Sequence, residues 1–183
     1  MYDYVIVHAS FGHPFEHWTP WLFEELSKQG KKVLAPQFPC GYDEQNYKNW
    51  EKVLDAYKDF IDENTVFIGH SIGPSFICDY LANRNVKAKK LVFVAPVFGN
   101  IDVPDYDHVN SSFFAQKKFR EVKRLCKEIV CYISKTDPYV PNTNSEWFAN
   151  EIGAKVEYFD NAGHFNTAAG FTTFAHLLDE IIK

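Results

Sequence analysis

No uninterrupted apolar run in the sequence approaches the roughly 20 residues that a membrane-spanning helix needs, so no membrane association is expected and the chain should be soluble. Positive charge is also in short supply, with 19 Lys and Arg against 24 Asp and Glu and a net charge of -5. Nucleic-acid affinity rests mainly on neutralising phosphates with Lys and Arg, so nucleic acid is not expected as a partner. The opening MYDYVIVHASFGHPF has neither the basic start nor the longer apolar segment of a secretory signal. The four cysteines, Cys40, Cys78, Cys126 and Cys131, follow no metal-ligand or redox spacing. Without an export signal they should be reduced thiols packed as small apolar residues in a cytoplasmic protein. Repeats, low-complexity tracts and linkers are missing as well, and 183 residues suit one domain spanning residues 1–183.

What the chain does have is apolar surface. Hydrophobic residues make up 46% and aromatics 17%, which is enough for a large core and excludes a disordered chain. Short apolar runs at 4–7, 32–35, 65–68, 91–94, 129–133 and 156–159 alternate with longer segments of helical period. That alternation predicts an α/β fold with three layers and a mainly parallel six-stranded sheet, its strands mostly without polar alternation, which suits burial on both faces. In HWTPWLFEELSKQG, Thr19 is placed to cap a first helix, Pro20 to open it and Gly30 to end it. A second helix is expected near 47–60, a third just after Ser71 and a last one over 171–182. The segment QKKFREVKRLCK reads as an amphipathic helix with Phe119, Val122 and Leu125 turned inward. Residues 95–112 show no clear period and form a candidate lid.

In TVFIGHSIGPSF, residues 65–76, a serine lies between two glycines where an apolar run stops. A chance match to G-x-S-x-G somewhere in such a chain has odds of about one in twenty, so the weight falls on placement. Here a strand precedes and a helix follows, as the motif requires. The serine occupies a strained turn that lifts its hydroxyl off the sheet, and a β-carbon at position 69 or 73 would crowd the bend. The Ile72 N–H, at the positive end of the following helix, is positioned to bind a developing oxyanion.

A serine hydroxyl attacks only when a base takes its proton, which requires a histidine and an orienting carboxylate later in the chain. Asp137 in YISKTDPYVP follows the fifth strand and His164 in VEYFDNAGHF follows the sixth, the strand ends where sites form in open α/β sheets. Asp160, Asp102, Asp105 and Asp107 are rival carboxylates, ranked lower because none directly follows a strand end in the expected place. The second oxyanion donor should come from the loop HASFGHPF, with the Ser10 N–H first and the Phe11 N–H second. Phe113 and Phe114 are candidates for an acyl pocket, with core packing the alternative. HPFEH, residues 13–17, matches the zinc signature H-x-x-E-H, but Pro20 would cut short the helix that this chemistry needs, so no metal is expected. His8 and His70 read as packed, hydrogen-bonded histidines, and His17 as a residue of the pocket rim.

GHSIG, HWTPWL, Trp50 after PQFP, TDPYVP and GHF together resemble the small serine hydrolases related to retinoblastoma-binding protein 9, within the α/β-hydrolase superfamily. The resemblance runs over nearly the whole chain. It implies Ser71 as nucleophile, Asp137 as acid and His164 as base, in a sheet lacking the N-terminal antiparallel strands of larger relatives. Members named for pocket-protein binding carry L-x-C-x-E; here that region reads DFIDENT, so pocket-protein binding is not carried over. The expected function is hydrolysis of a small-molecule ester or amide without a cofactor. The alternative is a non-catalytic protein-binding module that retains the fold.

Overall fold

A computed structural model describes residues 1–116 and 118–183. Six strands form a single sheet: β1 (Tyr4–Val7), β2 (Val33–Leu34), β3 (Val66–His70), β4 (Lys90–Val94), β5 (Ile129–Ser134) and β6 (Lys155–Phe159). Their order is β2-β1-β3-β4-β5-β6 and every pairing is parallel. All six predicted strands are present, with ends shifted by no more than two residues.

Alternate residues of each central strand feed two separate cores. Val5, Val7, Phe67, Leu91, Phe93, Ile129 and Cys131 pack on one face with α2 (Tyr47–Asp55), α3 (Gly73–Arg84), α5 (Phe119–Leu125) and α6 (Asn142–Ile152). Tyr4, Ile6, Val66, Ile68, Val92, Val94, Val130 and Tyr132 pack on the other with α1 (Thr19–Lys28) and α7 (Ala175–Ile181). This arrangement explains why the central strands show no polar alternation, since helices on both sides keep water from either face, whereas the edge strand β6 (KVEYF) is partly exposed. The remaining helix, α4 (Pro104–Asn110), lies in the connection between β4 and β5.

Several helix boundaries differ from expectation. Thr19 is the first helical residue and not the cap; Trp18 holds the cap position without a side-chain bond. A turn leads straight into the helix there, since the Thr19 N–H already donates to the Glu16 carbonyl. The second helix ends at Asp55, and a short 3-10 turn covers Lys58–Phe60. Its start is set by Asn46, whose side chain accepts the Asn49 N–H at 2.9 Å. The aperiodic stretch 95–112 contains α4, opened by Pro104 and tied down by Asp107, which accepts the N–H groups of Ile101 and Val103. The last helix starts at Ala175, four residues later than its pattern suggests. The basic amphipathic segment forms α5 with Phe119, Val122 and Leu125 buried, as read, while Lys117 lies outside the described residues.

The sheet order reverses direction about β1: β2 lies on one side of it and β3 on the other. In such sheets the crevice beyond the carboxyl ends of the strands at the reversal is where ligands bind. The loop after β1 and the turn after β3 meet there.

Candidate active site

Ser71 follows the last residue of β3 and adopts a φ of +58°, a left-handed conformation that non-glycine residues seldom occupy. Its backbone is held on both sides: its N–H donates to the Val94 carbonyl at 2.9 Å, and its carbonyl accepts the Val97 N–H at 3.1 Å. The flanking glycines are needed for space. A β-carbon at Gly69 would lie 2.8 Å from the Pro74 nitrogen, and one at Gly73 would lie 2.8 Å from the Val7 carbonyl oxygen. The close approach brings the start of α3 against the end of β1.

Asp137 leaves the end of β5 in a tight turn, where its Oδ1 accepts the N–H groups of Tyr139 and Val140 at 2.9 and 3.1 Å. These bonds orient the other carboxylate oxygen, and Oδ2 meets the Nδ1 of His164 at 2.8 Å. The turn carrying His164 is built on the left-handed residues Gly163 and Phe165. It is tied to the Asp137 turn by the Ala162 N–H donating to the Ser134 hydroxyl and the Gly163 N–H donating to that of Thr136. With Nδ1 bound by Asp137, Nε2 is the ring nitrogen left for proton transfer.

Neighbouring histidines support the same turn. His70 Nε2 donates to the His164 carbonyl at 2.9 Å, and the two rings pack with centroids 4.9 Å apart. Burial holds the His70 pKa well below the usual histidine range, and the nearby His164 and His17 push it the same way, so His70 is a neutral donor. His17 Nδ1 accepts the Thr167 N–H at 3.2 Å, which places His17 on the rim as read from the sequence. His8 is packed and neutral: its Nε2 accepts the Phe38 N–H at 3.0 Å, its Nδ1 lies 2.8 Å from the Ala9 carbonyl oxygen, and burial lowers its pKa. Residues 13–17 form turns and not a helix, so His13 and His17 do not share a helical face and the zinc signature lacks its required geometry.

Ser71 and His164 line one cavity of about 410 Å³, together with Ser10, Phe11, Tyr106 and Tyr139. The walls are largely apolar, and Phe11, Val103 and Tyr139 are exposed at its mouth. Among the described residues, neither the Ser10 N–H nor the Ile72 N–H has an acceptor. The second-choice donor differs: the Phe11 N–H is occupied by Gln45 Oε1 at 2.7 Å, so it is not available to an oxyanion. Phe113 and Phe114 do not line the cavity either. Phe113 is fully buried against Trp50, Phe76 and Tyr47, and Phe114 packs on Phe98, so both serve the core. The rival carboxylates are engaged elsewhere: Asp160 with Lys135, Asp105 with Tyr42, and Asp107 with its own loop. Asp102 is exposed beyond the cavity lining.

Sequence reading did not find the buried amides around the Ser10 loop. Gln45 Nε2 donates to the Ser10 hydroxyl at 2.6 Å and to Asn110 Oδ1 at 2.9 Å, and Asn110 Nδ2 donates to the Ser10 hydroxyl at 3.0 Å. Both amides are almost completely buried. They join the loop after β1, the segment before α2 and the end of α4. Glutamine and asparagine at ordinary spacing carry no signal of such a junction.

A family model described as serine hydrolase matches residues 4–181. The chain belongs to that family. It is a hydrolase, and its architecture is that of the α/β-hydrolases. Among relatives, YdeN of Bacillus subtilis (strain 168) is 27% identical over 177 residues, covering 95% of this chain and 91% of YdeN. The serine hydrolase RBBP9 of Rattus norvegicus is 28% identical over 123 residues, covering 67% of this chain and 61% of RBBP9. The crystal structure of the B. subtilis ydeN gene product superposes with a TM-score of 0.87 at 22% identity, covering 100% of this chain and 97% of the other.

Proposed function

We propose that Ser71, His164 and Asp137 act as a Ser-His-Asp triad that cleaves a carboxylic ester or amide of a small substrate through an acyl-enzyme. The bond from Asp137 Oδ2 to His164 Nδ1 at 2.8 Å, beside a serine in a left-handed turn on the same cavity, carries this reading. Ser71 attacks the carbonyl carbon while His164 Nε2 takes the hydroxyl proton. Asp137 keeps the imidazole in the Nδ1–H tautomer and stabilises its charged form. The N–H groups of Ile72 and Ser10 receive the oxyanion, with the start of α3 adding its positive dipole end. His164 then protonates the leaving group, and water releases the acyl group by the reverse route. These steps use protein groups and water alone.

The cavity volume suits a small substrate, and its apolar walls suit a partly apolar acyl group. The four cysteines are unpaired, which fits a single hydrolase domain working in the reducing cytoplasm. Among the described residues no helix is long and apolar enough to cross a membrane.

A fluorophosphonate probe tests the reading directly. Mass spectrometry should find the adduct on Ser71, and Ser71→Ala should abolish both labelling and the hydrolysis of p-nitrophenyl esters. Full hydrolysis by Ser71→Ala would remove the nucleophile assignment.

A further inference from the structure

Tyr106 projects from α4 into the cavity of Ser71 and His164, and the acyl-transfer scheme gives it no task. Its phenolic oxygen is buried and has no hydrogen-bond partner of normal geometry among the described residues. Leaving a buried hydroxyl unpaired forfeits its hydration without return, so such a group signals a ligand that completes it. Burial raises the phenol's pKa above its ordinary value, Asp107 and Asp137 add to that, and the Ser71 hydroxyl beside it opposes. The phenol is therefore a protonated donor across the neutral range.

Its position is built in. Asn110 Nδ2 donates to the Tyr106 carbonyl at 2.9 Å, and the same Asn110 is bonded to Ser10 and Gln45. One buried network thus places both the phenol and the loop that offers the Ser10 N–H.

Because the phenol lies beside the Ser71 hydroxyl, the substrate atoms within its reach are those attached to the carbon that Ser71 attacks. The carbonyl oxygen is taken by the Ile72 and Ser10 N–H groups, and the leaving atom must face His164 for protonation. The substituent on the neighbouring acyl carbon is what remains. We propose that Tyr106 donates a hydrogen bond to an oxygen on the acyl carbon next to the scissile carbonyl, selecting 2-alkoxy, 2-hydroxy or 2-keto acyl groups over plain hydrocarbon ones. This rests on the Ser71 hydrolase reading. The proton stays on the phenol throughout, so no additional covalent step is involved. Sites that hold an unpaired polar group discriminate against analogues lacking its partner, whereas apolar walls discriminate weakly.

The test compares p-nitrophenyl methoxyacetate with p-nitrophenyl butanoate on the full chain; the two acyl groups have the same length and differ by one oxygen. Each kcat/KM is divided by the ester's own hydroxide rate constant to remove intrinsic reactivity. The wild type should prefer the methoxyacetate by about tenfold or more, the value of one well-formed hydrogen bond. Tyr106→Phe should erase that preference, with the methoxyacetate losing about tenfold more than the butanoate. No preference in the wild type overturns the proposal, and so does an equal loss on both esters, which would assign the phenol to the carbonyl or to packing. The wild-type ratio decides even if the variant fails to fold. Absence of both Ser71 labelling and ester hydrolysis would instead bring down the hydrolase reading itself.

Discussion

At Ser71 a left-handed backbone outside glycine costs of order 1–3 kcal/mol and persists only where the surroundings impose it. They do so here through the clamps from Val94 and Val97 and through close contacts at Gly69 and Gly73. Gly73→Ala should therefore destabilise the protein by about 1–3 kcal/mol, since the obstructing atom is the Val7 carbonyl and backbone must move. Gly30→Ala is the control. It carries only the left-handed penalty of about 1 kcal/mol, because nothing lies within 4 Å of the added carbon. Thermal denaturation of the two variants should show the larger loss at position 73, with slower fluorophosphonate labelling there alone. Ser71, Asp137 and His164, the proposed triad, could be picked out because each follows a predicted strand end, and strand ends can be read from apolar runs. Phe113, Phe114 and the Phe11 N–H were misassigned for the converse reason: sequence does not tell which way a ring points or what already accepts an amide proton.

At the scale of elements, α3 has an unusual burden. Residues 73–81 are all buried, and Asp79 among them has an oxygen without a partner among the described residues. Burial raises the Asp79 pKa to about 7, only partly opposed by Lys118. The folded state then keeps a proton that the unfolded state loses near pH 4, so stability falls as pH rises from about 4 to about 7. Asp79→Asn removes this dependence. The stability difference between wild type and variant, measured by urea denaturation at a series of pH values, should grow in favour of the variant by a few kcal/mol across that window. A difference that stays flat with pH would show that Asp79 ionises normally in the fold. Elements opened by proline or showing an apolar stripe were legible, including α1, α3 and α5. The helix α6 had usable signals, Pro141 just before it and left-handed Gly153 just after, that its weak periodicity concealed. Seven-residue α4 has too few turns to show a period at all.

At the scale of the molecule, the two ends of the sheet do different work. The carboxyl ends hold the cavity, whereas near the amino ends Lys90 Nζ is buried between Glu180 and Glu128 at 2.6 and 2.5 Å and also donates to the Glu180 carbonyl. That cluster ties α7 to the central strand β4. Lys90→Met alone should cost up to about 3 kcal/mol, because it leaves the largely buried Glu180 carboxylate only its pairing with the exposed Lys183. Adding Glu180→Leu should recover much of the loss, as replacing both members of a buried pair with apolar groups often does. Chemical denaturation of the single and double variants measures this, and a double variant less stable than the single one would contradict it. The cluster lies at the opposite end from Ser71, so both variants should retain the wild type's reactivity toward a fluorophosphonate wherever they remain folded.

By itself the sequence determined the α/β layering, the six strands and the three residues placed at strand ends, because periodic burial and turn chemistry are local properties written along the chain. Tertiary structure alone decided which amides stay free, that Gln45 and Asn110 brace the Ser10 loop, and that Tyr106 stands beside Ser71. Those relations join residues up to 100 positions apart, and the sheet order that brings them together depends on how the crossovers pack.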